Sequence, residues 1–171
     1  MKHILILILS LCVACSKIIE QGFTNKAEAK NLMVNGKREG KWIVYEADMP
    51  DSVGDGVTYL STHVVPKDSN AEYYSLIIYK NGKPDGIKRR YYMSGKLQSE
   101  CKYIKGKIND TTKMYYESGG LSAIMPIKND NKNGVEKWYY ENGKLKQETT
   151  YINGKEGGTK HYDENGNEIK Q

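Results

Sequence analysis

The sequence is poor in most large apolar side chains. Its 171 residues include 1 Phe, 2 Trp, 3 Cys and 4 Pro, against 14 Tyr. Hydrophobic residues make up 38% of the chain, and the mean hydropathy is -0.71. These values are low for a compact globule and fit an elongated array better. Because tyrosine supplies most of the aromatic surface, many large side chains carry a polar tip that can reach water or a partner.

The sequence also lacks a block of like charges and a recognisable catalytic motif. Lys and Arg total 26 and Asp and Glu total 21, giving a net charge of +5 with the two signs interspersed. This pattern argues against nucleic acid as the main partner. No nucleophile elbow, paired-histidine zinc motif or phosphate loop is present, and we interpret His63 and His161 as surface or strand residues. We therefore expect that the protein is not an enzyme and that it binds neither a metal ion nor a cofactor. Of the functional classes considered, an enzyme is the least favoured.

The one strongly apolar run lies at the N-terminus. Residues 4–11 follow a short basic stretch and are too few to cross a bilayer, so they predict an export signal. The small residues before Cys15 resemble the lipobox of bacterial lipoproteins, and we assign Cys15 as the lipidated first residue of the mature chain. The residue after this cysteine is Ser16 rather than Asp, as in lipoproteins that are sorted to an outer membrane. Once Cys12 leaves with the signal, Cys101 has no disulfide partner, and we expect it to be a buried apolar residue.

The chain divides into segments of different character. Residues 1–14 form the predicted signal peptide, and residues 15–30 the tether. Residues 31–171 form the predicted repeat domain, interrupted at 46–72 by an irregular insertion rich in Pro, Asp, Gly and Ser. A short helix is compatible with residues 25–32.

A repeat of about two dozen residues begins near Asn35 and runs to the C-terminus. Several columns of apolar and aromatic residues keep this step. The first column is Tyr79, Tyr103, Ile127 and Tyr151; the second is Leu97, Leu121, Leu145 and Ile169; the third is Tyr91, Tyr115, Tyr139 and Tyr162. Because a short unit cannot bury its own apolar surface, tandem copies predict an array in which neighbours supply each other's core.

Each unit reads as two strands and two turns, which predicts an all-β antiparallel meander with one hairpin per repeat. Asn142-Gly143 is expected to form a tight type I′ turn, and a second turn recurs at Asn153-Gly154 and its equivalents. With two-residue turns, Tyr140 would face Leu145, and each leucine would share the core face with Tyr103, Ile127 or Tyr151. The same parity places Tyr92 opposite Leu97 and Tyr116 opposite Leu121. The column of Tyr45, Tyr91, Tyr115, Tyr139 and Tyr162 would then lie on the opposite face.

The repeat resembles the MORN-repeat variant of bacteria, whose units read N-G-K, glycine, an aromatic run, N-G-K-L and a closing tyrosine. The clearest copy spans residues 128–151 and contains Asn142, Gly143, Lys144 and Leu145. The resemblance implies a sheet of tandem hairpins. Proteins similar to this are often grouped as YwqK-like antitoxins, which implies a binding protein that neutralises a partner.

Two functional hypotheses remain besides the antitoxin-like one. The first is a membrane-anchored, non-catalytic binding or scaffold module for a protein partner in the envelope. The second is a glycan or peptidoglycan binder in which a tyrosine stripe stacks on sugar rings. The candidate ligand-binding residues are Tyr91, Tyr115, Tyr139, Trp138 and Tyr162.

Overall fold

The computed structural model describes residues 22–48, 62–65 and 70–170. The predicted signal peptide, the lipidation site Cys15 and most of the predicted insertion lie outside the described residues. Within them, one 3-10 turn at Lys26–Glu28 is the sole helical element, in place of a longer helix over 25–32. None of the described helices is long and apolar enough to span a bilayer.

The rest of the described chain forms one antiparallel sheet. Its strands are β1 (Leu32–Val34), β2 (Lys37–Asp48), β3 (Thr62–Val65), β4 (Tyr73–Lys80), β5 (Lys83–Pro84), β6 (Gly86–Tyr92), β7 (Leu97–Ile104), β8 (Lys107–Ile108), β9 (Thr111–Tyr115), β10 (Leu121–Lys128), β11 (Asn131–Lys132), β12 (Gly134–Tyr139), β13 (Leu145–Ile152), β14 (Lys155–Tyr162) and β15 (Glu168–Ile169). The main order is β1-β2-β4-β6-β7-β9-β10-β12-β13-β14-β15, with the short strands β3, β5, β8 and β11 each paired to one long strand. The predicted meander of hairpins is confirmed.

The tight type I′ turns connect the strands at one end, and the wider turns connect them at the other. A type I′ turn needs a positive φ at both central residues, and Asn153 (φ 50) and Gly154 (φ 81) have this conformation. So do the equivalent pairs, including Lys105-Gly106 and Asn129-Asp130. The type I′ geometry is therefore found at the second turn of each unit.

The first turn of each unit is wider than predicted. The Gly143 amide donates to the Tyr140 carbonyl at 2.9 Å, and the Tyr140 amide donates to the Lys144 carbonyl at 2.9 Å, so three residues form the loop. Gly143 has φ 81, whereas Asn142 is not among the residues with a positive φ. The extra residue is absorbed by a β-bulge between Trp138 and Tyr139.

This wider turn shifts the leucines to the other face. Leu145 pairs with Tyr139, and likewise Leu97 pairs with Tyr91 and Leu121 with Tyr115. The prediction that the leucines face Tyr140, Tyr92 and Tyr116 on the core face was wrong by one residue. In the unit that follows residue 152, Glu168, not Ile169, pairs with the tyrosine of that column, Tyr162.

The core face of the sheet carries most of the buried residues of the regular repeats. Tyr103 and Ile127 lie on this face, as predicted, and Ile127 is 5% exposed. Cys101 is buried among them, and burial raises the pKa of its thiol to about 12. The cluster consists of Cys101, Ile108, Met114, Ala123, Met125 and Ile127, with Tyr103 and Trp138 packed against it.

The opposite face, called the outer face below, is covered at its N-terminal end by the chain itself. Phe23 is 5% exposed and packs with Tyr74, Leu76 and Ile78 of β4. Gly22 approaches so closely that a Cβ there would lie 2.7 Å from the Ile87 carbonyl oxygen. Gly22, Phe23 and Ala29, which the sequence assigned to the tether of residues 15–30, therefore lie against the sheet.

Neighbouring repeats are joined by a series of hydrogen bonds from tyrosine hydroxyls. These bonds lie at the strand ends that carry the wider turns. The Tyr116 hydroxyl donates to the Tyr139 carbonyl at 2.5 Å. Equivalent bonds run from Tyr92 to the Tyr115 carbonyl (2.9 Å) and from Tyr140 to the Tyr162 carbonyl (2.8 Å). The regular step from Tyr92 to Tyr116 to Tyr140 thus has a structural cause, since each hydroxyl bonds one hairpin to the next.

Candidate functional site

The outer face presents a row of alternating tyrosine and leucine over seven consecutive strands, called the tyrosine-leucine row here. It contains Tyr91, Leu97, Tyr115, Leu121, Tyr139, Leu145 and Tyr162. Cross-strand partners lie side by side on one face, and all seven side chains are half-buried. Successive tyrosines are two strands apart, about 10 Å. The row is a continuous amphipathic strip.

A row of charges runs beside it on the same face. Arg89 and Glu100 form an ion pair at 2.7 Å, and Lys160 lies 3.9 Å from Glu148. In the register, Ile124 stands between Lys113 and Lys137, where the flanking repeats place glutamates. The strip is therefore flanked by paired charges at both ends and by an excess of positive charge at its centre.

The structure separates the predicted ligand-binding residues into two groups. Tyr91, Tyr115, Tyr139 and Tyr162 share the outer face. Trp138 lies on the core face, between Ala123 and Gln147 of the adjacent strands. Adjacent residues of a strand point to opposite faces, so Trp138 and Tyr139 cannot contribute to one flat stripe.

The four tyrosines also differ in how much of the ring is available. Tyr91 stacks on Tyr74 with ring centroids 5.0 Å apart and packs against the cluster that holds Phe23. Burial raises the pKa of Tyr91. Tyr162 donates its hydroxyl to Glu148 at 3.1 Å. The part of the row outside the N-terminal segment therefore runs from Tyr115 to Tyr162.

A cavity of about 430 Å³ opens on the core face around Trp138. Its floor is the ion pair of Lys132 and Glu136 at 2.7 Å, whose side chains are 6% and 3% exposed. The Lys132 ammonium lies 4.5 Å from the centroid of the Tyr151 ring. Burial, with Glu136 and Glu156 nearby, raises the pKa of Tyr151 to about 12. Tyr116, Lys146 and Gln147 also line the cavity.

Sequence reasoning missed this cavity, although a signal for it exists. The repeat columns align Lys132, Glu136 and Trp138 with residues of the preceding copy that are less polar or smaller, so the two neighbouring copies differ in polarity at the same places. Among the described residues no group of three or more His, Cys, Asp or Glu side chains could hold a metal ion.

Comparison with known protein families identifies the repeat. The MORN repeat variant matches residues 84–105 and 132–153. The two matches are separated by two steps of the repeat, since one begins at residue 84 and the other at residue 132. The chain therefore carries MORN repeats, which are generally used for binding or scaffolding. No curated protein and no solved structure matches the chain significantly.

Proposed function

We propose that this chain is a lipid-anchored, non-catalytic binding protein of the bacterial envelope whose MORN repeats hold a protein partner on the outer face. The observation that carries the proposal is the tyrosine-leucine row. Tyrosine supplies large contact area with few rotatable bonds and a polar tip, a combination enriched at protein interfaces. The lipobox-like sequence before Cys15 supports the anchor and an outer-membrane location.

The covered end of the outer face indicates what kind of segment the row accepts. Residues 22–29 lie across that end, and Phe23 is buried among Tyr74, Leu76 and Ile78. The same face continues through Tyr139 and the following repeats. We therefore infer a partner that lays a short segment with an aromatic or aliphatic anchor across the strands.

The partner surface is tested by site-specific photo-crosslinking in cells that make the full chain. A crosslinker at Leu145 should give a discrete protein adduct, and Tyr139→Ser should remove it. The matched control is a crosslinker at Glu117, an exposed position outside the row. An adduct pattern at Leu145 identical to that at Glu117, or unchanged by Tyr139→Ser, would contradict the proposal.

The anchor is tested separately by fractionation of wild type and Cys15→Ala. Wild type should be in the membrane fraction, and the variant should be soluble, since it lacks the thiol that takes the lipid. Wild-type protein in the cytosol would overturn the envelope location while leaving the crosslinking result to judge the partner.

A further inference from the structure

The cavity around Trp138 stands out when the repeats are compared position by position. Residues one repeat step apart occupy equivalent places in the sheet. The last complete copy, residues 132–153, is called the last copy here, and the middle copy is residues 108–129. The last copy has Lys132, Glu136, Trp138, Gln147 and Tyr151 where the middle copy has Ile108, Thr112, Met114, Ala123 and Ile127, and the copy at residues 84–105 is also polar at three of these places, with Lys88, Arg90 and Ser99. The last copy is thus polar and aromatic at positions where the middle copy is mainly aliphatic.

The fold does not require this polar set. In the middle copy the same positions are filled at 0% to 8% exposure, and Ala123 and Thr112 are fully buried. Replacing a buried ion pair by apolar residues of similar volume is often neutral or stabilising. The pair of Lys132 and Glu136 therefore lacks an explanation in folding stability alone, and it lies at the floor of an open cavity.

The chemistry of the cavity selects its ligand. Trp138 and Tyr151 line the cavity with aromatic rings, and Gln147 and Lys146 add an amide and an ammonium group beside the buried pair of Lys132 and Glu136. The volume of about 430 Å³ lies within the range of small-molecule sites. A sugar ring has an apolar face that can pack on the aromatic rings and several hydroxyls that can bond to the polar side chains. We therefore consider a sugar the best match to this lining.

The charge of the side chains that line the cavity indicates which class of saccharide it would bind. Lys132 and Glu136 neutralise each other at 2.7 Å. Lys146 also lines the cavity and its side chain is exposed, so the lining carries a net charge of +1. We propose that this cavity binds an acidic saccharide, with its ring against Trp138 and its carboxylate towards Lys146.

Tryptophan fluorescence tests the proposal directly. The chain has 2 Trp, and Trp42 lies elsewhere on the sheet, where it donates to the Glu39 carbonyl. In full-length Trp42→Phe protein, oligogalacturonate should shift or quench the emission of Trp138. The neutral galactose oligomer should bind about tenfold more weakly, since it lacks the carboxylate. The Trp138→Phe variant should show no shift of the Trp42 emission.

The middle copy supplies a matched variant that is expected to fold. The double variant Lys132→Ile and Glu136→Thr carries the residues of the middle copy, and it should bind oligogalacturonate at least about tenfold more weakly. A cooperative thermal unfolding transition should show that this variant is folded. Lys146→Gln should lower the affinity for the acidic oligomers and leave the affinity for the neutral oligomers unchanged.

Three results would overturn the proposal. The first is an unchanged emission of Trp138 with every acidic oligomer. The second is full affinity in the double variant, which would place the ligand elsewhere. The third is an equal response to inorganic phosphate, which would reduce the site to one for simple anions. None of these readouts depends on the protein partner of the outer face.

Discussion

The middle and last copies of the repeat share one backbone plan and differ in what fills it. On the core face, the middle copy buries Met114, Met125 and Ile127 in an apolar cluster. The last copy places a buried ion pair and a cavity at the equivalent level of the sheet. Hydrogen bonds from tyrosine hydroxyls link the hairpins of both copies in the same way. This difference shows that the side chains on the core face, called the filling, can change largely without a change in the hairpin backbone and its tyrosine bonds, called the framework.

The largest expected effect comes from breaking the ion pair of the last copy. Lys132→Ile leaves the buried carboxylate of Glu136 without its cation. Removing one member of a buried pair costs about 3–5 kcal/mol, and urea unfolding should show a loss of this size. The double variant with Glu136→Thr is the control, because replacing both members should recover the loss and exceed wild type by up to about 4 kcal/mol. If the double variant is as unstable as the single one, the copies are not interchangeable.

The next effect is a cavity in the middle copy. Met125 is 0% exposed, and Met125→Ala should lower the free energy of unfolding by about 2–5 kcal/mol. Thr149 occupies the equivalent place in the last copy, and Thr149→Ala should cost less because fewer apolar atoms are removed. Parallel urea titrations of both variants measure the difference. Equal losses would show that the apolar cluster is not confined to the middle copy.

The sequence predicted the framework because its signals are local. Asn-Gly pairs, the regular repeat step and strand parity were enough for the meander and for the placement of Tyr103 and Ile127 on the core face. The burial of Cys101 also followed from its place in a strand. These properties depend on residues that are close together in the chain.

The features that the sequence did not predict depend on geometry or on distant contacts. One extra loop residue at Gly143 moves Leu145 to the outer face, and Asn-Gly pairs occur at both kinds of turn. Phe23 docks on β4, which is distant from it in the chain, without a periodic signal in the sequence. The cavity at Trp138 required comparison of the copies by polarity rather than by shared residues.

Acid should distinguish the middle copy from the polar copy that precedes it. Burial alone would raise the pKa of Glu46, but Lys88 at 2.8 Å and Arg90 at 3.1 Å outweigh it and hold the pKa of this carboxyl below its usual value. A lowered folded pKa means that this stabilisation is present above the unfolded value and is lost as the pH falls through the folded value.

Amide hydrogen exchange, corrected for intrinsic rates, measures this effect. As the pH falls below the usual pKa of a glutamate, protection in β2, β4 and β6 should decrease before protection in β9 and β10, whose buried core-face residues include Met114 and Met125. Glu46→Gln should abolish the difference. Uniform loss of protection along the array would contradict it.

The smallest effect concerns the contact between the two copies. Tyr116→Phe removes the hydroxyl that donates to the Tyr139 carbonyl and should cost about 0.5–1.5 kcal/mol in urea unfolding. Tyr92→Phe and Tyr140→Phe remove the equivalent bonds on either side, and they serve as matched comparisons. If the framework is separable from the filling, all three variants should lose similar amounts. A loss confined to Tyr116→Phe would instead show that the hydroxyl stabilises the cavity it lines, and that framework and filling are coupled there.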